Sequence, residues 1–163
     1  MREKHTSRAS RFGRRRFLVG LLGGGALGCA SADTLTSGEI VFRDVEDQAR
    51  TFMEWERRIR LNREQEQIKK DALSAIPAPC CGDNSAYTCC CPCNMSRTIW
   101  GLANHMIARQ GANAREVRAK AEEWIAFINP NGYGGKACYT RGGCQRPFHQ
   151  DGCGGMNPDQ PVF

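Results

Sequence analysis

The chain has 163 residues and a formal net charge of +6, which is distributed unevenly along the sequence. Residues 1–32 hold seven Lys or Arg and one acidic residue, whereas residues 33–163 hold sixteen Lys or Arg and sixteen Asp or Glu. The neutral part lacks the basic excess by which proteins bind phosphate backbones, so the composition excludes nucleic acid as a partner. Its length predicts a single domain of ordinary size.

The first segment, residues 1–32, has the pattern of an export signal, with a basic start, a short apolar stretch and a small-residue end. Residues 14–18, Arg-Arg-Arg-Phe-Leu, resemble the twin-arginine (Tat) consensus, which implies export to the periplasm. The apolar stretch is far shorter than the roughly 20 residues of a membrane-spanning helix. We expect cleavage after Ala32; lipidation of Cys29 is the alternative, and it would tether the protein to the membrane as a lipoprotein.

The second segment, residues 33–130, is predicted to be mostly α-helical. Apolar periodicity predicts one long helix over about residues 42–76 and a second over about 96–110, with Gly111 at its C-terminal cap. A third helix begins with Asn113 as N-cap and Glu116 completing a capping box. The short connection predicts that the second and third helices form an antiparallel hairpin.

Six of the ten cysteines fall within residues 80–93, just before the second predicted helix. They are too crowded to pair among themselves, since a disulfide needs Cα atoms roughly 4.4 to 6.8 Å apart with converging Cβ vectors. Clustered sulfur ligands favour soft ions, which makes copper and zinc the leading candidates and an iron–sulfur cluster a further one. The predicted metal ligands are Cys80, Cys81, Cys89, Cys90, Cys91 and Cys93.

The third segment, residues 131–163, is rich in glycine and cysteine and shows neither helix nor strand periodicity. An irregular tail with few apolar residues needs staples to become ordered. Cys138, Cys144, His149 and Cys153 have the spacing C-x5-C-x4-H-x3-C, which supplies the ligand types of a Cys3His zinc site. We predict either a second metal site or disulfides there.

A disulfide framework is the alternative for all the cysteines, because the periplasm is oxidising. Cleavage or lipidation of the signal leaves nine cysteines to pair, and an odd number leaves at least one thiol unpaired. The resemblance to twin-arginine clients implies export after folding in the reducing cytoplasm, where a bound metal can supply folding free energy and a disulfide cannot form. The pattern therefore favours a metal-binding protein over an interaction protein that is held together by disulfides.

A redox interpretation rests on Cys90 and Cys93, which form a C-x-x-C motif ahead of a helix. With Tyr133-Gly134 after the predicted hairpin, this stretch resembles CcmH-type thiol proteins of cytochrome c maturation. The resemblance implies a thiol–disulfide oxidoreductase in which Cys93 attacks an apocytochrome disulfide and Cys90 is its partner.

A second resemblance is carried by residues 79–82, Pro-Cys-Cys-Gly, which look like the start of exported PCYCF-motif proteins, although the adjacent cysteines depart from the Pro-Cys-x-Cys spacing. Together these patterns predict an exported, cysteine-rich protein that binds a soft metal for storage, delivery or sensing. The CcmH-like exchanger and the disulfide-stapled protein are the alternatives. Only the exchanger would be an enzyme.

Overall fold

The computed structural model describes residues 39–139 and 142–163. The twin-arginine-like segment, Cys29 and Ala32 lie outside the described residues, and the expectations about them stay predictions. The elements are α1 (Val45–Arg58), α2 (Arg63–Leu73), β1 (Pro77–Ala78), β2 (Cys81–Ser85), α3 (Asn94–Gln110) and α4 (Ala114–Ile128), followed by 3-10 turns at Gly143–Gln145 and Phe148–Gln150. The predicted mostly α fold is confirmed. Within the described ranges, no helix combines the length and apolarity needed to cross a bilayer.

The single long helix predicted over residues 42–76 is wrong, because the chain breaks between α1 and α2. Ile59 ends α1 with extended backbone, and its carbonyl oxygen accepts a hydrogen bond from the Asn104 side chain at 3.2 Å. Asn62 then starts α2 with a capping box that it forms with Gln65. The cap satisfies amide groups that would otherwise lack partners at the helix start, which makes the break favourable. As a result α1 packs mainly on α3, and α2 mainly on α4.

The helical hairpin predicted from the second and third periodic segments is formed by α3 and α4. Gly111 ends α3 in the left-handed region (φ 67°), and Asn113 and Glu116 form the predicted capping box at the start of α4. The indole Nε1 of Trp124, late in α4, donates to Oγ1 of Thr98, early in α3, at 3.0 Å. This bond joins opposite ends of the two helices, as an antiparallel pair requires.

The core is centred on Trp124, which is completely buried and packs against Phe52 of α1, with ring centroids 4.9 Å apart. The α1–α3 crossing is close because Gly101 has no side chain: a Cβ there would lie 1.7 Å from the carbonyl oxygen of Phe52. This tight contact fixes the middle of α3 against α1, and α3 follows directly on the cysteine loop (residues 86–93).

A two-stranded antiparallel hairpin, β1–β2, precedes the cysteine loop and was not predicted. Ala78 pairs with Cys81, so Pro79 and Cys80 form the turn between the strands. Across residues 131–139 and 142–163, the Gly/Cys-rich tail is irregular apart from two 3-10 turns, as predicted. It nevertheless buries Phe148 completely, so the tail contributes to the protein interior.

Candidate metal centre

Nine cysteines lie within the described residues, and no disulfide joins any of them. They come from three places in the chain: the β-hairpin, the loop that leads into α3, and the tail. The members of this set, which we call the cysteine cluster, are Cys80, Cys81, Cys89, Cys90, Cys91, Cys93, Cys138, Cys144 and Cys153.

The β-hairpin is joined to the tail by backbone hydrogen bonds. The amide of Cys138 donates to the carbonyl oxygen of Cys80 at 2.9 Å, and the amide of Gly82 donates to that of Gly135 at 2.8 Å. The Cα atoms of these glycines approach closely, since a Cβ on Gly135 would lie 3.5 Å from Cα of Gly82. Pairing of hairpin and tail therefore places Cys138 beside Cys80 through main-chain contacts alone.

The start of α3 is joined to the tail in the same way. Cys93 is the N-cap of α3, which begins two residues earlier than predicted. The amides of Asn94 and Met95, which lack partners within the helix, donate to the carbonyl oxygens of Gly155 and Cys153 at 2.9 and 3.0 Å. These two bonds bring Cys153 next to Cys93 and replace the side-chain cap that a Cys at this position does not supply.

The inner group consists of Cys80, Cys89, Cys93 and Cys153. The Sγ atom of Cys80 lies 3.9 Å from that of Cys89 and 4.0 Å from that of Cys93, and the three sulfurs all lie within 4.8 Å of one another. The Sγ atom of Cys153 lies within 4.8 Å of those of Cys80 and Cys138. Cys80, Cys93 and Cys153 are completely buried, so this group is shielded from water.

The outer group consists of Cys81, Cys90 and Cys138, whose sulfurs also lie within 4.8 Å of one another. The Sγ atoms of Cys90 and Cys138 are 3.9 Å apart. Cys90 is exposed and Cys138 is half-buried. The Tyr139 hydroxyl lies 3.4 Å from Sγ of Cys81, and Nδ2 of Asn84 donates to the same sulfur at 3.2 Å. This group is therefore polar and open to solvent on one side.

The remaining predicted ligands lie at the edge of the cluster. Sγ of Cys91 is 4.0 Å from Sγ of Cys90. The amide of Cys153 donates to the carbonyl oxygen of Gly143 at 3.2 Å, which places the neighbouring Cys144 near Cys153. Neither Cys91 nor Cys144 belongs to a group of three adjacent ligand atoms within the described part of the chain.

His149 is exposed, and its ring nitrogen lies 3.3 Å from the Gln150 side-chain amide. The structure places Cys138 and Cys153 next to cysteines of the hairpin and the loop. Within the described ranges, no group of three adjacent ligands contains His149, and none contains both Cys90 and Cys93.

The thiols of the inner group differ sharply in acidity. Interactions with the Cys153, Cys80 and Cys89 thiols hold the pKa of Cys93 far below its ordinary value. The interaction with Cys153, together with burial, raises the pKa of Cys80, and the interaction with Cys80, together with burial, raises that of Cys89. Ionisation is therefore favoured at Cys93, at the positive end of the α3 dipole, and like-charge repulsion disfavours it at the neighbouring thiols.

The outer group is less perturbed. The hydrogen bond with the Tyr139 hydroxyl, and then donation from the Asn84 amide, lower the pKa of Cys81. Burial is the main cause that raises the pKa of Cys138 to about 11, and the neighbouring Cys90 and Cys144 thiols add to it. A cation would remove the mutual repulsion in both groups, since thiols that coordinate a metal are deprotonated outright.

The sulfur–sulfur distances identify what the arrangement can do. A disulfide requires about 2.05 Å between sulfurs, whereas the observed separations are 3.9 and 4.0 Å. Four sulfurs at bonds of about 2.3 Å to a tetrahedral ion lie about 3.8 Å apart, and three around a trigonal ion lie about 4.0 Å apart. The described cysteines thus form groups that could hold a metal ion without large rearrangement.

Comparisons with protein-family models, with curated proteins and with solved structures find no match to this chain. The site geometry and the sequence patterns are therefore the basis for its function.

The sequence patterns did not predict that cysteines of the hairpin, the loop and the tail lie together in one cluster. The side chain of Asn94 donates to the carbonyl oxygens of Gly154 and Asn157 at 2.8 and 2.9 Å, and this contact spans about sixty residues of sequence. A buried Asn at a helix start is a polar group that needs partners, and this requirement was the one local signal of the connection.

Proposed function

We propose that this protein binds a soft metal ion outside the cytoplasm through the inner group of cysteines, for storage, delivery or sensing of the metal. The observation that carries the proposal is the position of the Cys80, Cys89 and Cys93 sulfurs, which lie within 4.8 Å of one another. The Cys153 sulfur lies within 4.8 Å of that of Cys80 and is a candidate for the fourth ligand of a closed tetrahedral thiolate site.

The donor set supports copper(I) or zinc. It contains only sulfur, which disfavours the hard cations that prefer oxygen ligands. Iron–sulfur clusters spread their cysteine ligands over two or more iron atoms, whereas three adjacent thiolates suit a directly coordinated ion. Copper(I) and zinc are therefore the best-supported cargoes.

The extracytoplasmic part of the proposal rests on the resemblance of residues 14–18 to the twin-arginine consensus. Export in a folded state would let the ion be inserted in the reducing cytoplasm, before the thiols meet an oxidising compartment. The half-exposed outer group would then give a partner protein access to the cluster, which suits delivery better than permanent structural binding.

The first test is the metal content of the mature protein, purified from the periplasm without chelator, together with its thiol count before and after chelation. We expect bound copper or zinc, with thiols that react only after the chelator is added. A metal-free protein with reactive thiols would instead favour the CcmH-like exchanger. A metal-free protein with one free thiol would favour the disulfide framework.

A matched pair of variants locates the ligands. Cys89 and Cys91 are both half-buried and lie two residues apart in the same loop, but only Cys89 belongs to a group of three adjacent sulfurs in the described residues. We expect Cys89→Ser to lower metal affinity at least tenfold in a competition assay, and Cys91→Ser to change it far less. Equal losses in both variants would contradict this ligand assignment.

A further inference from the structure

We propose that the cysteine cluster holds at least two soft metal ions in one thiolate-bridged centre, in which Cys80 and Cys138 join the inner and outer groups. This inference rests on the proposed function and specifies its stoichiometry. Three sets of adjacent sulfurs carry it: Cys80 with Cys89 and Cys93, Cys80 with Cys138 and Cys153, and Cys81 with Cys90 and Cys138. The first and second sets share Cys80, and the second and third share Cys138.

Ligand numbers require more than one ion. The three sets together contain seven cysteines, and a tetrahedral ion takes four. A single ion would leave three adjacent thiols uncoordinated, Cys81 among them, which is 1% exposed. A sulfur that bridges two ions completes both coordination shells at once, and the shared positions of Cys80 and Cys138 place a bridging atom between the two groups.

The shared positions are fixed by the backbone. The amide of Cys138 donates to the carbonyl oxygen of Cys80, so backbone pairing places these two residues side by side. The Met95 amide donates to the carbonyl oxygen of Cys153 and places that residue beside the start of α3. When an ion binds, it replaces thiol protons, which are released to solvent.

The two ends of the centre differ in access to solvent. Cys80, Cys93 and Cys153 of the inner group are fully buried, whereas Cys90 of the outer group is exposed. An incoming thiol or chelator reaches Cys90 and Cys138 first. The outer ion is therefore the exchangeable one, and the inner ion is retained longer.

The test uses Cd²⁺ as the probe, added to the reduced mature protein, with stoichiometry from native mass spectrometry and bridging from ¹¹³Cd NMR. We expect at least two ions per chain, with coupling between ¹¹³Cd nuclei through a shared sulfur. Cys138→Ser should abolish the coupling, and Cys90→Ser should release the outer ion at least tenfold faster while the inner ion is retained. Cys144→Ser is the matched control, because Cys144 is a half-buried tail cysteine outside the three sets, and it should keep both ions.

The outcomes separate this inference from the proposed function. Absence of bound Cd²⁺ would overturn both. One ion per chain would overturn the bridged centre and leave the metal-binding function standing. Two bound ions that show no ¹¹³Cd coupling, and that both remain bound in Cys138→Ser, would indicate separate sites and would also overturn the bridge. If Cys138→Ser does not fold, the presence or absence of ¹¹³Cd coupling in the unsubstituted protein decides the bridge, and Cys90→Ser still tests which ion is the outer one.

Discussion

The helical body, residues 39–76 and 94–130, and the cysteine half, residues 77–93 and 131–163, are held together by different forces. In the helical body the buried residues are mainly aromatic and aliphatic, with Trp124, Phe52 and Leu73 among those with negligible exposure. Among the described residues of the cysteine half, the strands are two and five residues long, and four of the buried side chains are cysteines. Apolar burial can order the first region, whereas the second depends on backbone hydrogen bonds and on what its thiols bind.

Of the changes that distinguish the two regions, metal removal should have the largest effect. A structural thiolate site contributes on the order of 10 kcal/mol to folding, so a chelator with reductant should expose residues 131–163 to proteases while most of the helical circular dichroism remains. Limited proteolysis followed by mass spectrometry locates the cuts. Unchanged protection of this segment after complete metal loss would show that the tail is held without the ion.

The next largest effect should come from Trp124→Ala in the helical body. The change removes ring contacts with Phe42 and Phe52 and the hydrogen bond to Thr98, and we expect a loss of about 3–5 kcal/mol in the free energy of unfolding. Chemical denaturation of the metal-loaded protein measures it. The half-buried Phe127, whose ring centroid lies 5.9 Å from that of Trp124, is the control, and Phe127→Ala should cost less. Equal costs would argue against Trp124 as the centre of the core.

A smaller effect should follow from Asn94→Ala, which disrupts the junction between the regions. Without the amide, the carbonyl oxygens of Gly154 and Asn157 each lose one hydrogen bond, although Gly154 keeps the one from the Val162 amide, and we expect a cost of about 1–2 kcal/mol. Hydrogen exchange at the Met95 amide should accelerate, and the inner ion should be released faster. Asn113→Ala removes an exposed helix cap, at about 1 kcal/mol, and should leave metal release unchanged. A similar acceleration of metal release in both variants would contradict the role of Asn94.

The smallest expected effect is a pH dependence at His105, which stacks on Trp55 with ring centroids 3.7 Å apart. Burial, and then the nearby charge of Arg109, lower the pKa of His105. The unfolded chain therefore takes up a proton near the ordinary His pKa of about 6.5 while the folded protein does not, so stability is full above that pH and falls below it. His105→Gln should reduce the difference in unfolding free energy between pH 7.5 and 5.5. An unchanged difference would exclude His105 as its source.

Local signals explain which parts of the fold could be predicted. The α3–α4 hairpin follows from apolar spacing, Gly111 and the Asn113 capping box, all of which act within a few residues. The α1–α2 break had the same kind of signal in Asn62 and Gln65, but the continuous apolar and charged periodicity on both sides concealed it. The β-hairpin escaped prediction because its strands are too short to show alternation.

The sequence by itself determined that the protein is mostly helical and that it carries a dense set of thiols suited to soft metals, because helix periodicity and ligand chemistry are local properties. Only the tertiary structure decided which cysteines adjoin. Backbone hydrogen bonds between segments some sixty residues apart place Cys138 beside Cys80 and Cys153 beside Cys93. Such contacts depend on how the helices position the hairpin, the start of α3 and the tail relative to one another. Spacing along the chain places the tail cysteines with His149, whereas packing places Cys138 and Cys153 in groups of three with cysteines of the hairpin and the loop.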